Sequence, residues 1–287
     1  MAIDIKLIKN LGAAISSASG LVKIGDRFYT IADDQLNLFS FTENDSSINA
    51  LALFPGKLPE NSAERKAQKP DLEALLILPG DLLLAVPSGS KPKRCKGALV
   101  DLESGSQAID FSRLYSVLLK KFPELNIEGA VLTSRHLKLF QRGNGRGCEN
   151  AVISLARDQF LEELKHGQIS EKPLTDILKI ALGNVNGTSL GFTDAAIFDE
   201  KTLAFLAVAE KTESTYLDGE YGGAVFGFLD EKGRIILQEE VLCPEKPEGL
   251  WLNPDKSEFF VVTDTDNPQK ASALYKGPVP KLPKAEQ

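Results

Sequence analysis

The 287-residue chain contains one methionine, one tryptophan, two histidines and three cysteines. Cys95, Cys148 and Cys243 stand far apart with no paired spacing, which argues against a disulfide framework and for reduced thiols. His136 and His166 are likewise isolated, so a zinc site of the usual nitrogen and sulfur type is not expected. No apolar run approaches the roughly 18–20 residues that a membrane-spanning helix requires. The opening "MAIDIKLIKN" alternates apolar and polar residues and lacks the basic-then-apolar layout of a signal peptide. A cytoplasmic protein is the expectation. The formal net charge of −7 makes a general nucleic-acid surface unlike this chain. No GxSxG elbow, GxxxxGK[ST] phosphate loop or HExxH helix occurs.

What is present is a repeat. The stretches "ASGLVKI", "DLEALLIL", "NIEGAVL", "FTDAAIF" and "PEGLWL" align on Gly20, Ala74, Gly129, Ala195 and Gly249, at intervals of 54 to 66 residues. Recurrence in this range marks a repeat architecture. Each unit opens with a short apolar strand. A second follows ("RFYTIAD", "DLLLAVP", "HLKLFQR", "TLAFLAV", "EFFVVTD"), then a third ("LNLFSF", "GALVDL", "NAVISL", "GAVFGF", "SALYKG"). Their alternation and β-branched content read as strands, with Gly, Asp and Asn in the turns. Fourth strands stand at 48–54, 106–111, 174–182 and 234–242, while the last unit ends after its third. The spare strand is N-terminal, where Ile3, Ile5 and Leu7 alternate with polar residues; pairing it with the strand of Ala273 and Tyr275 closes a ring and removes an edge.

The expected fold is therefore an all-β, five-bladed β-propeller of four-stranded blades. Residues 1–287 form one propeller domain, with blades starting near 19, 73, 128, 194 and 248 and residues 1–10 completing the last. Helical spacing appears in "FSRLYSVLLKKF" and "RDQFLEELKH", expected on the rim, and residues 57–70 read as an exposed loop.

In a propeller the first strand of each blade starts at the channel mouth where the second ends. Glu73, Glu128, Asp194 and Glu248 then ring one mouth with Ser19 in the fifth place, and Asp33, Ser88, Arg142, Glu210 and Asp264 join them from the second strands. So many carboxylates require a cation, a basic partner or raised pKa values. An oxygen-liking ion such as Ca²⁺ is one candidate for Glu73, Glu128, Asp194 and Glu248. The alternative is structural: the acids accept backbone N–H bonds from neighbouring blades. Lys91, Lys93 and Arg94 in the blade-two loop, with Arg142 and Arg146 in blade three, form a candidate anion site. Glu213, Tyr216, Asp218, Glu220 and Tyr221 make the blade-four loop acidic, so the mouth divides into basic (blades two and three) and acidic (blades four, five and one) halves.

The series "SGL … DLEAL … IEGA … TDAA … PEGL", with "SGSKPKR" after blade two, resembles an uncharacterised family of bacterial β-propellers along nearly the whole chain. The "xEG" openings are also similar to propellers of the esterase-like phytase and lactonase type. That resemblance implies calcium held by Glu73, Glu128, Asp194 and Glu248 beside a phosphoester, ester or lactone substrate. Two readings follow: a monomeric propeller with a small polar or anionic ligand at its mouth, as a Ca-dependent hydrolase, or a non-catalytic propeller binding a protein on its rim. Sugar hydrolysis by paired carboxylates is a third, weakened by an aromatic content of only 7%, which leaves few stacking platforms.

Overall fold

Five strand units, each unable to bury its faces alone, stack around an axis and cover one another. The computed structural model describes residues 2–12, 15–143, 149–211 and 219–283. Blade one comprises Ala18–Ile24, Arg27–Ala32, Asn37–Phe41 and Asn49–Ala52. Blade two comprises Leu72–Leu78, Leu82–Pro87, Lys96–Asp101 and Gly105–Asp110. Blade three comprises Ile127–Leu132, His136–Gln141, Asn150–Ala156 and Leu174–Ile180. Blade four is built on Thr188–Ile197, Thr202–Lys211, Glu220–Asp230 and Ile235–Leu242, with Asn184–Val185 added on its inner side. Blade five comprises Lys246–Leu252, Glu258–Asp264 and Ala273–Pro278.

Apolar side chains from both faces of each sheet are buried because a neighbouring blade lies on either side. Five core clusters result, one per interface. Leu75 and Leu83 pack with Ile31 between blades one and two, and Ala130 and Leu139 with Leu76 and Val86 between two and three. Phe140 meets Phe192, which in turn meets Phe205, between three and four, and Phe226 meets Phe259 between four and five. Phe28 packs on Phe260 to close the ring. The expected propeller is present.

Closure differs in detail from the reading of the N-terminus as one strand. Lys6–Asn10 pairs antiparallel with Ala273–Pro278, setting Leu7 opposite Tyr275 and Asn10 opposite Ala273. Ile3–Asp4, however, runs parallel to Ile235–Leu242 in blade four, with Ile3 opposite Val241. Ile3 is buried in the core between blades four and five while Leu7 is 53% exposed. The physical reason is that Ile3 fills the interblade core, whereas the outer strand of blade five has one face to solvent.

Residues 57–70 also differ from the expected loop. Ser62–Gln68 is a short helix whose N-cap, Asn61, accepts hydrogen bonds from the backbone N–H groups of Ala63 and Glu64. Ser112–Leu118 and Arg157–Lys165 are helical as expected. The first of these lies by the mouth rather than on the rim, because Tyr115 is drawn under the blade-two loop and donates its hydroxyl to the Pro87 carbonyl at 2.6 Å. Among the described residues no helix is long and apolar enough to cross a membrane. Cys95 and Cys243 are buried free thiols, and Cys148 lies outside the described residues.

Candidate functional site

Every innermost strand carries a register irregularity at its start. The shifts fall between Ser19 and Leu21, Leu72 and Ala74, Ile127 and Gly129, Phe192 and Asp194, and Pro247 and Gly249. A bulged residue leaves the ladder and its side chain is re-aimed. The residues so released are Gly20, Glu73, Glu128, Thr193 and Glu248. Sequence alignment on the small residues is therefore one place out in blades one and four. Asp194 sits where Ala74 and Gly129 sit elsewhere. The crowding that selects small residues is visible at the next position: a Cβ on Gly249 would stand 2.7 Å from the Gly20 carbonyl carbon.

Asp194 acts as a tie between blades. Its Oδ2 accepts the Leu250 N–H at 2.7 Å and its Oδ1 the Ala195 N–H at 2.8 Å, while Thr193 donates to the Pro247 carbonyl. The structural role considered for the acids is realised here.

The remaining acids fall into two groups. Between blades one and two, Lys69 reaches from the end of the short helix to Asp33 and to Asp71, the latter at 2.8 Å. Arg94 contacts Asp71 at 2.8 Å, and Ser88 and Ser90 donate to the same carboxylate. Arg65 pairs with Asp34, and Ser19 donates to Glu73 at 2.9 Å. Burial works to raise the Asp71 pKa, but Lys69, Arg94 and the Ser88 hydroxyl outweigh it and hold the group below the ordinary range. Glu73 is pushed well above its ordinary value by burial and then by Glu128, Asp71 and Asp33.

Across blades three, four and five, Arg142 lies 2.7 Å from Glu210 and 3.5 Å from both Glu128 and Glu248. Lys246 lies 3.1 Å from Glu248, 3.4 Å from Asp264 and 3.0 Å from Asp266. Glu210 also accepts the Gly219 N–H. Leaving Glu210 aside, four carboxylates share two cations among the described residues. Burial pushes Glu128 up to about 8, with Glu248 adding to the effect and Arg142 opposing it. Asp264 rises to about 7 through burial and its neighbours Asp266 and Asp33, against Lys246. Glu248 is raised as well, by burial first.

The charge division departs from the basic and acidic halves read from the loops at blade one, where cations match acids expected to stand in excess. The sequence reading omitted Lys69 and Arg65, which neutralise the side next to blade one. Arg94 is buried against Asp71 and Arg142 against its three carboxylates; Lys91 and Lys93 are exposed. Arg146, Glu213, Tyr216 and Asp218 lie outside the described residues. Of the four acids nominated for a metal, Glu73 alone belongs to the group whose oxygens approach within 4.8 Å of one another, the others being Asp33 and Asp71. The spacing of these oxygens, on a buried Asp71 and half-buried Asp33 and Glu73, suits a cation, and in the structure the Lys69 ammonium meets Asp33 and Asp71 there.

Three further residues were legible but unread. Asp71, Asn126 and Lys246 each stand two places before a ring glutamate, at the head of an innermost strand. Asn126 donates to Glu128, and Lys246 pairs with Glu248. Asn61 followed by Glu64 is the helix-start signal that places Lys69.

A measurable consequence concerns pH. A carboxyl whose folded pKa is raised keeps a proton that the unfolded chain releases, so its contribution to stability is complete below the ordinary value and lost as pH climbs through the folded one. For Glu128 that window runs from 4.5 to about 8. Each such group contributes a slope of at most about 1.4 kcal/mol per pH unit. The melting temperature is expected to fall as pH rises across this window, and Glu128→Gln to flatten the decline. A melting temperature that climbs throughout would mean that pairing, not burial, governs these acids.

The fold and this mouth define the molecule as a five-bladed β-propeller with an ion-paired, acid-rich channel mouth. The chain belongs to the family of unknown function DUF6929, whose profile matches residues 14–279. Among solved structures it is similar to the α-L-arabinofuranosidase PaAbf62A of Podospora anserina, solved with cellotriose, at 10% identity over 97% of this chain and 98% of that one, with a TM-score of 0.55. The RRP9 WD40 repeats match at 8% identity over 96% and 98%, with a TM-score of 0.48. The likeness to the arabinofuranosidase shows the fold alone. No curated protein matches the chain.

Proposed function

We propose that this propeller binds a positively charged ligand at its channel mouth. The observation that carries the reading is the imbalance at blades three to five, where Glu128, Glu248, Asp264 and Asp266 share Arg142 and Lys246. Like charges held together by the fold lower their mutual repulsion when a cation arrives. A ligand that binds only the folded state raises stability by mass action, about 2.7 kcal/mol at a hundredfold excess over its dissociation constant. Melting curves with millimolar calcium, magnesium or manganese and with small amines, each against chelator or buffer, are expected to show such a rise for at least one cation. The rise is expected to be larger near pH 8 than near pH 5, because more of the raised carboxyls have then released their protons. Identical melting in all conditions would remove the reading.

The approach of Asp33, Asp71 and Glu73 within 4.8 Å favours a second, finer reading, a calcium-dependent hydrolase of phosphoesters, esters or lactones. The ion there would supply Lewis-acid chemistry. It would have to displace the Lys69 ammonium from between Asp33 and Asp71. Calcium-dependent turnover of chromogenic phosphate and lactone substrates, lost in Asp33→Asn, is the outcome that supports it.

A further inference from the structure

The chain carries a net charge of −7, yet one part of the mouth face has the opposite sign. Lys91, Lys93 and Lys96 lie exposed on the loop after the second strand of blade two. Arg113, Lys120 and Lys121 lie exposed on the adjoining helix, Ser112–Leu118, and on the turn that follows it. Lys93, Arg113, Lys120 and Lys121 form no ion pair among the described residues. The nearest acid along the chain, Asp110, accepts the Ser112 N–H at 2.8 Å and a hydrogen bond from Gln168, and it stands opposite Lys96 in the strand pairing.

These cations stand on a fixed platform. The Gly89 N–H donates to the Arg94 carbonyl at 3.0 Å, and the Phe111 N–H to the Cys95 carbonyl at 2.8 Å. Leu114, Tyr115 and Leu118 pin the helix from below, and a Cβ on Gly89 would stand 2.7 Å from the Tyr115 ring, so loop and helix are in close contact. The other face of the helix has no partner. Ser112, Arg113 and Ser116 meet solvent there, and Leu119, at the helix end, is 37% exposed. A preformed surface loses little conformational freedom on binding.

We propose that this surface docks an acidic segment of a partner protein, with carboxylates on Arg113, Lys120 and Lys121 and an apolar side chain on Leu119. Complementary charge steers such a segment to the patch and away from the rest of a net-negative molecule. A single-stranded nucleic acid fits less well. Its bases stack on accessible aromatic rings, and Phe111, Tyr115 and Phe122 are all buried. A flat anionic membrane would meet Glu60, Glu124 and Glu220 as well, exposed acids of the same mouth face.

Fluorescence anisotropy on the full chain, with a labelled dodecapeptide of repeated Glu-Glu-Leu, is the test. The peptide is expected to bind at low salt and to weaken as salt screens exposed charges. Lys120→Glu combined with Lys121→Glu trades two attractions for two repulsions, and a loss of about tenfold in affinity is expected. Arg113→Glu, on the helix face rather than beyond its end, weakens binding too and guards against misfolding of the double variant. Lys201→Glu combined with Lys232→Glu makes the same change in net charge on exposed turns at the other end of blade four, and affinity is expected to hold within about twofold. Equal losses in the two double variants would reduce the effect to net charge and overturn the inference. Absence of peptide binding overturns it as well. Tighter binding of an oligouridylate of equal length, or of phosphatidylserine vesicles, lost in the Lys120 and Lys121 variant, would replace the protein partner with a nucleic acid or a membrane.

Discussion

Replacing Arg142 with alanine is expected to lower the unfolding free energy by about 3–5 kcal/mol, the cost of leaving buried charges without their partner. The guanidinium is 3% exposed and touches Glu128, Glu210 and Glu248, which come from three blades. Its removal leaves carboxylates that repel one another across the channel. Protonation relieves part of that repulsion, so the loss is larger near pH 8 than near pH 5. Arg142→Lys keeps a charge but not the planar fork that reaches separate carboxylates, and an intermediate loss is expected. Denaturant melts at the two pH values check each statement. If the guanidinium instead served an external anion, Arg142→Ala would spare stability and abolish binding of phosphate or sulfate by calorimetry.

The second large effect is expected at the N-terminus. Ile3→Asp places a carboxylate in the core between blades four and five, where Ile3 is 5% exposed beside Val241. Loss of the buried side chain alone is worth about 1.5–3 kcal/mol, and an unpaired buried charge adds to it. Leu7→Asp, on a side chain 53% exposed, is expected to change stability by no more than about 0.5 kcal/mol. Deleting residues 1–10 removes both pairings at once and bares the strand Ala273–Pro278 as a sheet edge, so aggregation accompanies the lower melting temperature. Equal effects of the two point substitutions would mean that residues 3–7 form one uniform outer strand.

Much of this molecule was readable in its sequence because a repeat reports the same physical demand five times. Alternating apolar strands at a steady interval imply blades, and an incomplete last unit with a spare first strand implies closure. The small residues Gly20, Ala74, Gly129 and Gly249 report how closely the inner strands approach at the axis. The convergence of strand starts and strand ends at one mouth follows from antiparallel order alone. Glu73, Glu128, Glu248, Arg142 and Asp264 were placed together on that ground.

What the sequence left open was decided by forces acting between distant segments. A bulge in every inner strand set which residue left the ladder, making Thr193 rather than Asp194 the equivalent of Glu128. Periodicity cannot reveal a one-residue slip whose cause is the neighbouring strand. The charge balance at the mouth was hidden for a similar reason. Lys69 arrives from a segment that is polar and locally unremarked, and only its docking brings an ammonium to Asp33 and Asp71. Ile3 and Leu7 belong to the same alternating pattern, yet one is buried and the other exposed because only one of them meets a second blade. Local pattern determined the strands and their order around the ring, while long-range packing and ion pairing determined which side chains face the channel and which of them remain short of a counter-charge.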